Sequence, residues 1–415
     1  MELYINDKAC LTGEVNVSSS KNAILPILAA SLLTEADIRI DKVPNIKDVA
    51  IIKELINYLG VKVISNQDSI LFKGGATSNN PEYELVRQIR ASFLVMGPLL
   101  AKYGRVKIAL PGGCAIGTRP IDLHLKGFAA LGANINMSCG DVIATTSRLQ
   151  GNHVYLDFPS VGATENIMMA ATLAEGTSYI ENAALEPEVI DLANFINSMG
   201  GKISGAGTNV IKIKGVKTLG RSSYTAIADR IEAGTYMVAA AATGGDVIIK
   251  NVIPEHVKAI TAKLMESGAE VQEGNDWVRV RRYTSIKPLY IKTLPYPGFP
   301  TDMQAQFMAY LSCSEGNSII TESVFENRFM HVSELVRMGA KINAEGRTAI
   351  IKGVKELGGT RVKATDLRAG AALLIGALMA RGLSIISNSE HIDRGYENII
   401  GKLNQLGARI SSQEY

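Results

Sequence analysis

Apolar positions in this chain switch between two periods. A helical period ends six times at a glycine, and a strand-like alternation starts just after it. The six junctions are Leu59-Gly60-Val61-Lys62-Val63, Leu131-Gly132-Ala133-Asn134-Ile135, Met199-Gly200-Gly201-Lys202-Ile203, Ser267-Gly268-Ala269-Glu270-Val271, Met338-Gly339-Ala340-Lys341-Ile342 and Leu406-Gly407-Ala408-Arg409-Ile410. The spacing is about 70 residues, well above the short solenoid repeats. An Ala-rich helix opens each unit, over 23–33, 90–102, 167–174, 233–243, 304–312 and 367–380. A turn and a short strand follow, as at 177–180, 246–249 and 384–386. A second helix then runs into the glycine. A hairpin strand closes the unit, as at 69–72, 210–213 and 348–351. Each unit therefore reads β-α-β-α-β-β.

The sixth unit stops without its closing strand, while Leu3-Tyr4-Ile5-Asn6 is a strand without a partner. Joining the two predicts a three-unit domain over 20–228 and a discontinuous one made of 1–19 plus 229–415. The first helices are small-residue-rich and apolar nearly all round, so they belong inside, with the sheets outside. Their N-termini are expected to face a cleft between the domains, and helix N-termini suit an anionic ligand.

Charge narrows the choice of ligand. Among 415 residues, 43 Lys and Arg stand against 40 Asp and Glu, a net charge of +3. That balance excludes bulk attraction to nucleic acid or to an anionic membrane, so an anion must be met by a few placed cations. No signal-peptide pattern opens the chain, and the longest apolar run, 369–380, is too short to span a bilayer. Cys10, Cys114, Cys139 and Cys313 show neither pairing nor zinc spacing. Free thiols in a reducing cytoplasm are the expectation, with no metal.

One unit is longer than the others. Between its middle strand and its glycine the second unit carries about four extra residues, within Pro111-Gly112-Gly113-Cys114-Ala115-Ile116-Gly117-Thr118-Arg119-Pro120. Insertions in repeats fall on binding faces. A thiol five residues from a guanidinium is favoured as thiolate, although a lone cysteine is more often incidental. Cys10, Cys139 and Cys313 read as packing residues.

Cations recur at helix starts. Lys21 and Asn22 follow Ser18-Ser19-Ser20, Arg90 opens the second unit, Arg230 the fourth and Arg368 the sixth. Such charges oppose the macrodipole, which disfavours a merely structural role. Arg328 and Arg394 sit in loops after the middle strands of units five and six. Arginine suits forked recognition of phosphate and carboxylate. Asp302, between prolines in Pro297-Gly298-Phe299-Pro300-Thr301-Asp302, is either an N-cap or a positioned base.

These stretches resemble one family along essentially the whole chain: the UDP-N-acetylglucosamine enolpyruvyl transferases. SSSKNAILP, IRASFLVMGPLLA, PGGCAIGTRPIDLH, SVGAT, EPEVIDLANF, DRIEAGTY, PGFPTDMQAQ, VFENRFMHV, ATDLRAG and HIDRGYE carry the resemblance, and PGGCAIGTRP is diagnostic. It implies an α/β fold of two inverse α/β barrel domains with three units each. It implies a cytoplasmic transferase of peptidoglycan synthesis that takes phosphoenolpyruvate and UDP-N-acetylglucosamine, with no cofactor and no obligatory protein partner. On the same ground Cys114 is the acid that protonates the methylene carbon and the thiol that forms a substrate adduct. Asp302 takes the sugar hydroxyl proton. Lys21, Arg119 and Arg394 clamp phosphate and carboxylate, with Arg90 and Arg368 nearby. Arg119, Pro120, Ile121, Asp122, Leu123, Ser160, Val161, Gly162 and Val324 meet the nucleotide sugar. Asn22, Arg230, Phe325 and Arg328 form the outer wall, and His124 lies near the nucleotide. Many relatives carry Lys where this chain has Phe158-Pro159, so one nucleotide contact departs from the pattern. The nearest rival is the shikimate-pathway enolpyruvyl transferase, which shares the repeat and lacks the Cys loop. A non-catalytic repeat scaffold is the rival of another class.

Overall fold

A computed structural model of the chain describes residues 1–66, 68–112 and 121–413. They form two compact units, one of 1–18 with 228–413, the other of 19–112 with 121–227. Each contains three sheets among the described residues.

The glycine signature works as a switch of direction. Gly60, Gly132, Gly200, Gly268, Gly339 and Gly407 all take φ between +91° and +101°, where a side chain is strained. Each helix stops there and the chain leaves as a strand. Lys341–Glu345 shows the result: it turns back through Gly346 onto Thr348–Lys352, which pairs antiparallel with the middle strand Asn317–Thr321. Tyr290–Lys292 completes that sheet on the other side, in parallel. Alternation in Asp246–Lys250 and Trp277–Arg281 buries one face and leaves the other half-exposed, as sheets lying over a core require.

Closure is supplied from a distance. Glu2–Ile5 lies antiparallel between Ser384–Ser387 and Ile410–Gln413, in the place the other units fill with their own hairpin strand. Thr12–Asn16 pairs in parallel with Asp246–Lys250, and Ser222–Thr225 with Ile38–Asp41. Thr12–Asn16 is hard to see in sequence, because only Val15 in it is buried.

The second repeat departs from the pattern. Its sheet has three strands, Arg105–Ala109, Asp141–Thr145 and Asn134–Ser138, and no parallel fourth among the described residues. The preceding segment, Gly74-Gly75-Ala76-Thr77-Ser78-Asn79-Asn80-Pro81, has no alternating apolar run and is poor in strand formers. The helix expected at 90–102 also divides into a 3-10 turn, Arg90–Val95, and an α-helix, Met96–Tyr103. Pro98 lacks an N–H and cannot bond back to the turn before it.

The cores are built on the first helices. Arg230–Ala242 is buried at every residue, Gln304–Leu311 likewise, and Leu367–Met379 at all but its last. In the other unit Lys21–Ala30 and Val161–Thr172 are buried at all but their first two residues. Small residues set the approach distance: a Cβ on Gly97 would lie 2.4 Å from the backbone oxygen of Asn166. Among the described residues no helix is long and apolar enough to cross a membrane.

Two of the cysteines are not packing residues. Cys10 and Cys139 are exposed, Cys139 at a hairpin tip with φ +54°, because a turn leaves nothing to pack it against. Cys313 packs against a core and is half-buried, which pushes its thiol up to about 11.

Candidate active site

In the unit containing 228–413, the loop between prolines delivers Asp302 into a 3-10 turn, Thr301–Met303, that feeds the helix Gln304–Leu311. Asp302 is not a cap, since its carboxylate is engaged elsewhere. Oδ1 accepts from Arg328 Nη2 at 2.7 Å and Oδ2 from Arg368 Nη2 at 2.8 Å. The guanidinium side chains are only 5% and 7% exposed, against 23% for the carboxylate between them, so the two cations are the more deeply buried members of the group. Burial by itself pushes this carboxyl up, but Arg368 and then Arg328 overcome it and hold the group well below the usual carboxylate range. At any physiological pH it is an anion and an acceptor.

A second layer holds this arrangement. Glu322 is buried; its Oε1 accepts from Thr293 Oγ1 at 2.8 Å and from the backbone N–H groups of Val324 and Phe325, at 2.8 and 3.2 Å. Its Oε2 accepts from Thr301 Oγ1 at 2.8 Å, and Thr301 Oγ1 accepts from Arg328 Nη1 at 2.9 Å. The loop carrying Val324, Phe325 and Arg328 is thereby tied to the loop carrying Asp302. The Arg328 guanidinium lies 5.1 Å from the Phe325 ring centre, a cation–π contact. On the other side, Arg368 Nη1 donates to Tyr396 Oη at 3.1 Å, and Gln306 Nε2 donates to the Asp302 carbonyl at 2.9 Å. Glu322, Tyr396, Thr301 and Gln306 were not among the sequence candidates. Tyr396 lies inside HIDRGYE and Glu322 two residues before Val324, but an uncharged or buried residue in a strand or turn carries no signal of its own.

The other expected residues of this unit fall around the same elements. Arg368 is the second residue of Leu367–Met379, whose N-cap Asp366 accepts from the N–H groups of Arg368 and Ala369. Arg230 opens Arg230–Ala242 behind the cap Asp229 and lies 5.7 Å from the Tyr296 ring centre. Arg394 ends the turn Ser389–Arg394, which packs on Leu367–Met379, and is half-buried.

In the unit containing 19–227, Ser20 caps Lys21–Ala30, its Oγ accepting from Ala23 N–H. Lys21 Nζ lies 2.8 Å from Asp48 Oδ2, the pair being 13% and 4% exposed. A lysine at a helix start is thus steadied by a carboxylate from the next helix. Asn22 is half-buried beside it. Arg90 opens the turn Arg90–Val95, and its charge adds to burial in pushing His124 down to about 3. Ile121 precedes the helix Asp122–Ala130, with Asp122 exposed and Leu123 half-buried. Ser160 caps Val161–Thr172, and Gly162 faces the His124 ring. Phe158 is 45% exposed, an aromatic face open to solvent. Cys114, Arg119 and Pro120 lie outside the described residues. Among the described residues no His, Cys, Asp and Glu grouping could hold a metal ion.

The family model for EPSP synthase (3-phosphoshikimate 1-carboxyvinyltransferase) matches residues 5–403. The chain is 60% identical over 412 residues to UDP-N-acetylglucosamine 1-carboxyvinyltransferase 2 of Carboxydothermus hydrogenoformans, covering 99% of this chain and 98% of that protein. It is 55% identical over 400 residues to UDP-N-acetylglucosamine 1-carboxyvinyltransferase 1 of Caldanaerobacter subterraneus subsp. tengcongensis, covering 96% of each. Solved structures share the fold. The enolpyruvyl transferase NikO from Streptomyces tendae superposes with a TM-score of 0.89 at 24% identity, over 99% of this chain and 98% of that one. EPSP synthase from Acinetobacter baumannii gives 0.79 at 17%, over the whole of both. With its α/β architecture and with relatives of this identity over nearly its full length, the chain belongs to the EPSP synthase family of enolpyruvyl transferases, and within it to the UDP-N-acetylglucosamine 1-carboxyvinyltransferases.

Proposed function

We propose that this enzyme transfers the enolpyruvyl group of phosphoenolpyruvate to the 3′-hydroxyl of UDP-N-acetylglucosamine and releases phosphate, the first committed step of peptidoglycan synthesis. The observation that carries the reading is the 60% identity, over 99% of the chain, to a protein named for that activity. The Asp302–Arg328–Arg368 group supports it: a carboxylate that stays unprotonated, backed by two fixed cations.

The chemistry is an addition followed by an elimination. Phosphoenolpyruvate carries nearly three negative charges, and Lys21, Arg119 and Arg394 take its phosphate and carboxylate, with Arg90 and Arg368 beside them. The Cys114 thiol gives a proton to C3 as the sugar oxygen bonds to C2, and Asp302 accepts the proton leaving that oxygen. A carboxylate held so far below its ordinary range is a weak base at rest. It is strong enough for a hydroxyl whose proton is lost only as the new C–O bond forms. The tetrahedral ketal then returns a C3 proton to the Cys114 thiolate as its C2–O bond to phosphate breaks, and phosphate leaves. Arg119, Pro120, Ile121, Asp122, Leu123, Ser160, Val161, Gly162 and Val324 are the proposed nucleotide-sugar contacts, with Asn22, Arg230, Phe325 and Arg328 around them.

Phosphate release from phosphoenolpyruvate should require UDP-N-acetylglucosamine and should not be supported by shikimate 3-phosphate; the reverse preference overturns the acceptor. Fosfomycin, an epoxide phosphonate, should alkylate Cys114. The exposed Cys10 and Cys139 make this a demanding test, because simple access favours them. An adduct at Cys10, Cys139 or Cys313, or none at all by intact mass and peptide mapping, removes Cys114 from the reaction.

A further inference from the structure

The side chain of Asn166 is held by two backbone groups that leave it no choice of orientation. Gly97 N–H donates to Asn166 Oδ1 at 2.8 Å, and Asn166 Nδ2 donates to the Phe93 carbonyl at 3.0 Å. A peptide N–H can only donate and a carbonyl can only accept, so the amide oxygen must face Gly97 and the amide nitrogen must face Phe93. The second hydrogen of that nitrogen then points at His124 Nδ1, 3.1 Å away. A nitrogen that receives a hydrogen bond there carries no proton. His124 is therefore neutral, and its single N–H is at Nε2.

The surroundings keep it so. Asn166 is fully buried, and Phe93 packs edge-on against the imidazole with ring centres 5.3 Å apart. A second proton on the ring would set an N–H against the amide N–H. Arg90 also disfavours it, while Lys126, on His124's own helix, is turned to Asp157 at 2.7 Å. Gly97 is needed for the arrangement, because a Cβ there would lie 2.4 Å from both Asn166 oxygens. The Cε1–Nε2 edge lies on the other side of the ring from this anchor, beside the first turn of Val161–Thr172; a Cβ on Gly162 would lie 3.4 Å from Cε1 and 3.5 Å from Nε2. Ser160 Oγ is occupied in capping Ala163 N–H there, and the first N–H groups of a helix have no partner within it. A donor N–H beside such a turn meets an acceptor oxygen.

We propose that Asn166 is a positioning residue that fixes His124 as a neutral Nε2–H donor to an acceptor oxygen of the nucleotide sugar. The ligand in this inference rests on the function proposed above; the tautomer does not. Ser160, Val161 and Gly162 are the proposed sugar-nucleotide contacts of the same turn, so the donor and the turn serve one ligand.

Nitrogen-15 NMR of the histidine rings in the ligand-free enzyme tests the tautomer, with the His124 signals assigned from their loss in His124→Gln. His124 should show an unprotonated Nδ1 and a protonated Nε2, unchanged from about pH 5 to 8. Asn166→Asp keeps the size and still accepts from Gly97, but it presents an acceptor to Nδ1. In that variant Nδ1 should become protonated and the ring should titrate at a higher pH. The KM and Kd for UDP-N-acetylglucosamine should rise about tenfold, the loss of one directed hydrogen bond, with the KM for phosphoenolpyruvate unchanged. His124→Gln, whose amide can place a donor near the Nε2 position, should bind UDP-N-acetylglucosamine more tightly than His124→Leu. That pair keeps the test independent of whether Asn166→Asp folds. A wild-type ring protonated at Nδ1, or one titrating between about pH 5 and 8, overturns the inference; so does equal UDP-N-acetylglucosamine affinity in the two His124 variants. A wild-type enzyme with the expected tautomer that binds no UDP-N-acetylglucosamine instead rejects the function and the ligand together, and leaves the tautomer standing.

Discussion

Asp302 and Glu232 are carboxylates of one unit with opposite electrostatics, and pH separates them. Asp302 is matched by two guanidiniums, so its folded pKa lies below the ordinary value of 3.8. Its stabilising effect is fully present above that value and is lost as pH falls through the depressed folded one. Asp302→Asn should therefore be less stable than the parent at pH 7, and the gap should close on acidification in denaturant titrations. The same variant should lose turnover on the order of a hundredfold or more, as expected for a positioned base. Glu232 is 2% exposed, and burial pushes it up to about 7 even though Lys402 Nζ sits 2.6 Å away. Between about pH 4.5 and 7 the folded chain holds a proton there that the unfolded chain has released. Stability from this group is complete below 4.5 and is lost as pH rises through 7. Glu232→Gln, uncharged throughout, should flatten that decline, which can reach roughly 3 kcal/mol for a shift of this size. An unchanged slope in the variant would place the titration elsewhere.

Among the elements, the helix-to-strand junction recurs in every repeat, and its six glycines share one backbone conformation in different surroundings. A Cβ on Gly339 would meet no atom within 4 Å, whereas one on Gly60 would lie 2.0 Å from Thr77 Oγ1. Gly339→Ala should thus report left-handed strain alone, about 1–2 kcal/mol. Gly60→Ala should cost more, because the Thr77 segment must also move. Equilibrium unfolding of both variants checks the order, and equal losses would mean that the Thr77 loop yields freely. The same junction made the repeats legible in sequence, since a glycine between a helical and an alternating pattern has few other meanings. The three-stranded second sheet was not legible: where the described residues hold no parallel fourth strand, the sequence shows only a polar segment that any loop resembles.

For the molecule as a whole, the N-terminal strand is the most exposed dependency. Leu3 and Ile5 are 1% and 0% exposed, in a strand paired on both sides with residues from the far end of the chain. Leu3→Ala should cost about 2–5 kcal/mol, the range for emptying a packed site. Hydrogen exchange should quicken in Ser384–Ser387 and Ile410–Gln413 and stay unchanged in Ile38–Asp41, which belongs to the other unit. Quickening in all three strands would show that the two units unfold together.

Local chemistry alone determined the repeat, the burial of the Ala-rich helices, the placed cations and the family resemblance. Each depends on neighbours within a turn or two, and chain order records those. Tertiary structure decided which partner each charge takes. Lys21 meets Asp48, and Asp302 is held between Arg328 and Arg368, 26 and 66 residues away. Nothing in the spacing of those residues specifies the pairs. The same holds for Glu322 and Asn166, whose roles lie in the backbone groups that folding brings to them. A buried polar side chain has no sequence signature, because its meaning is set by the donors and acceptors around it and these come from elsewhere in the chain.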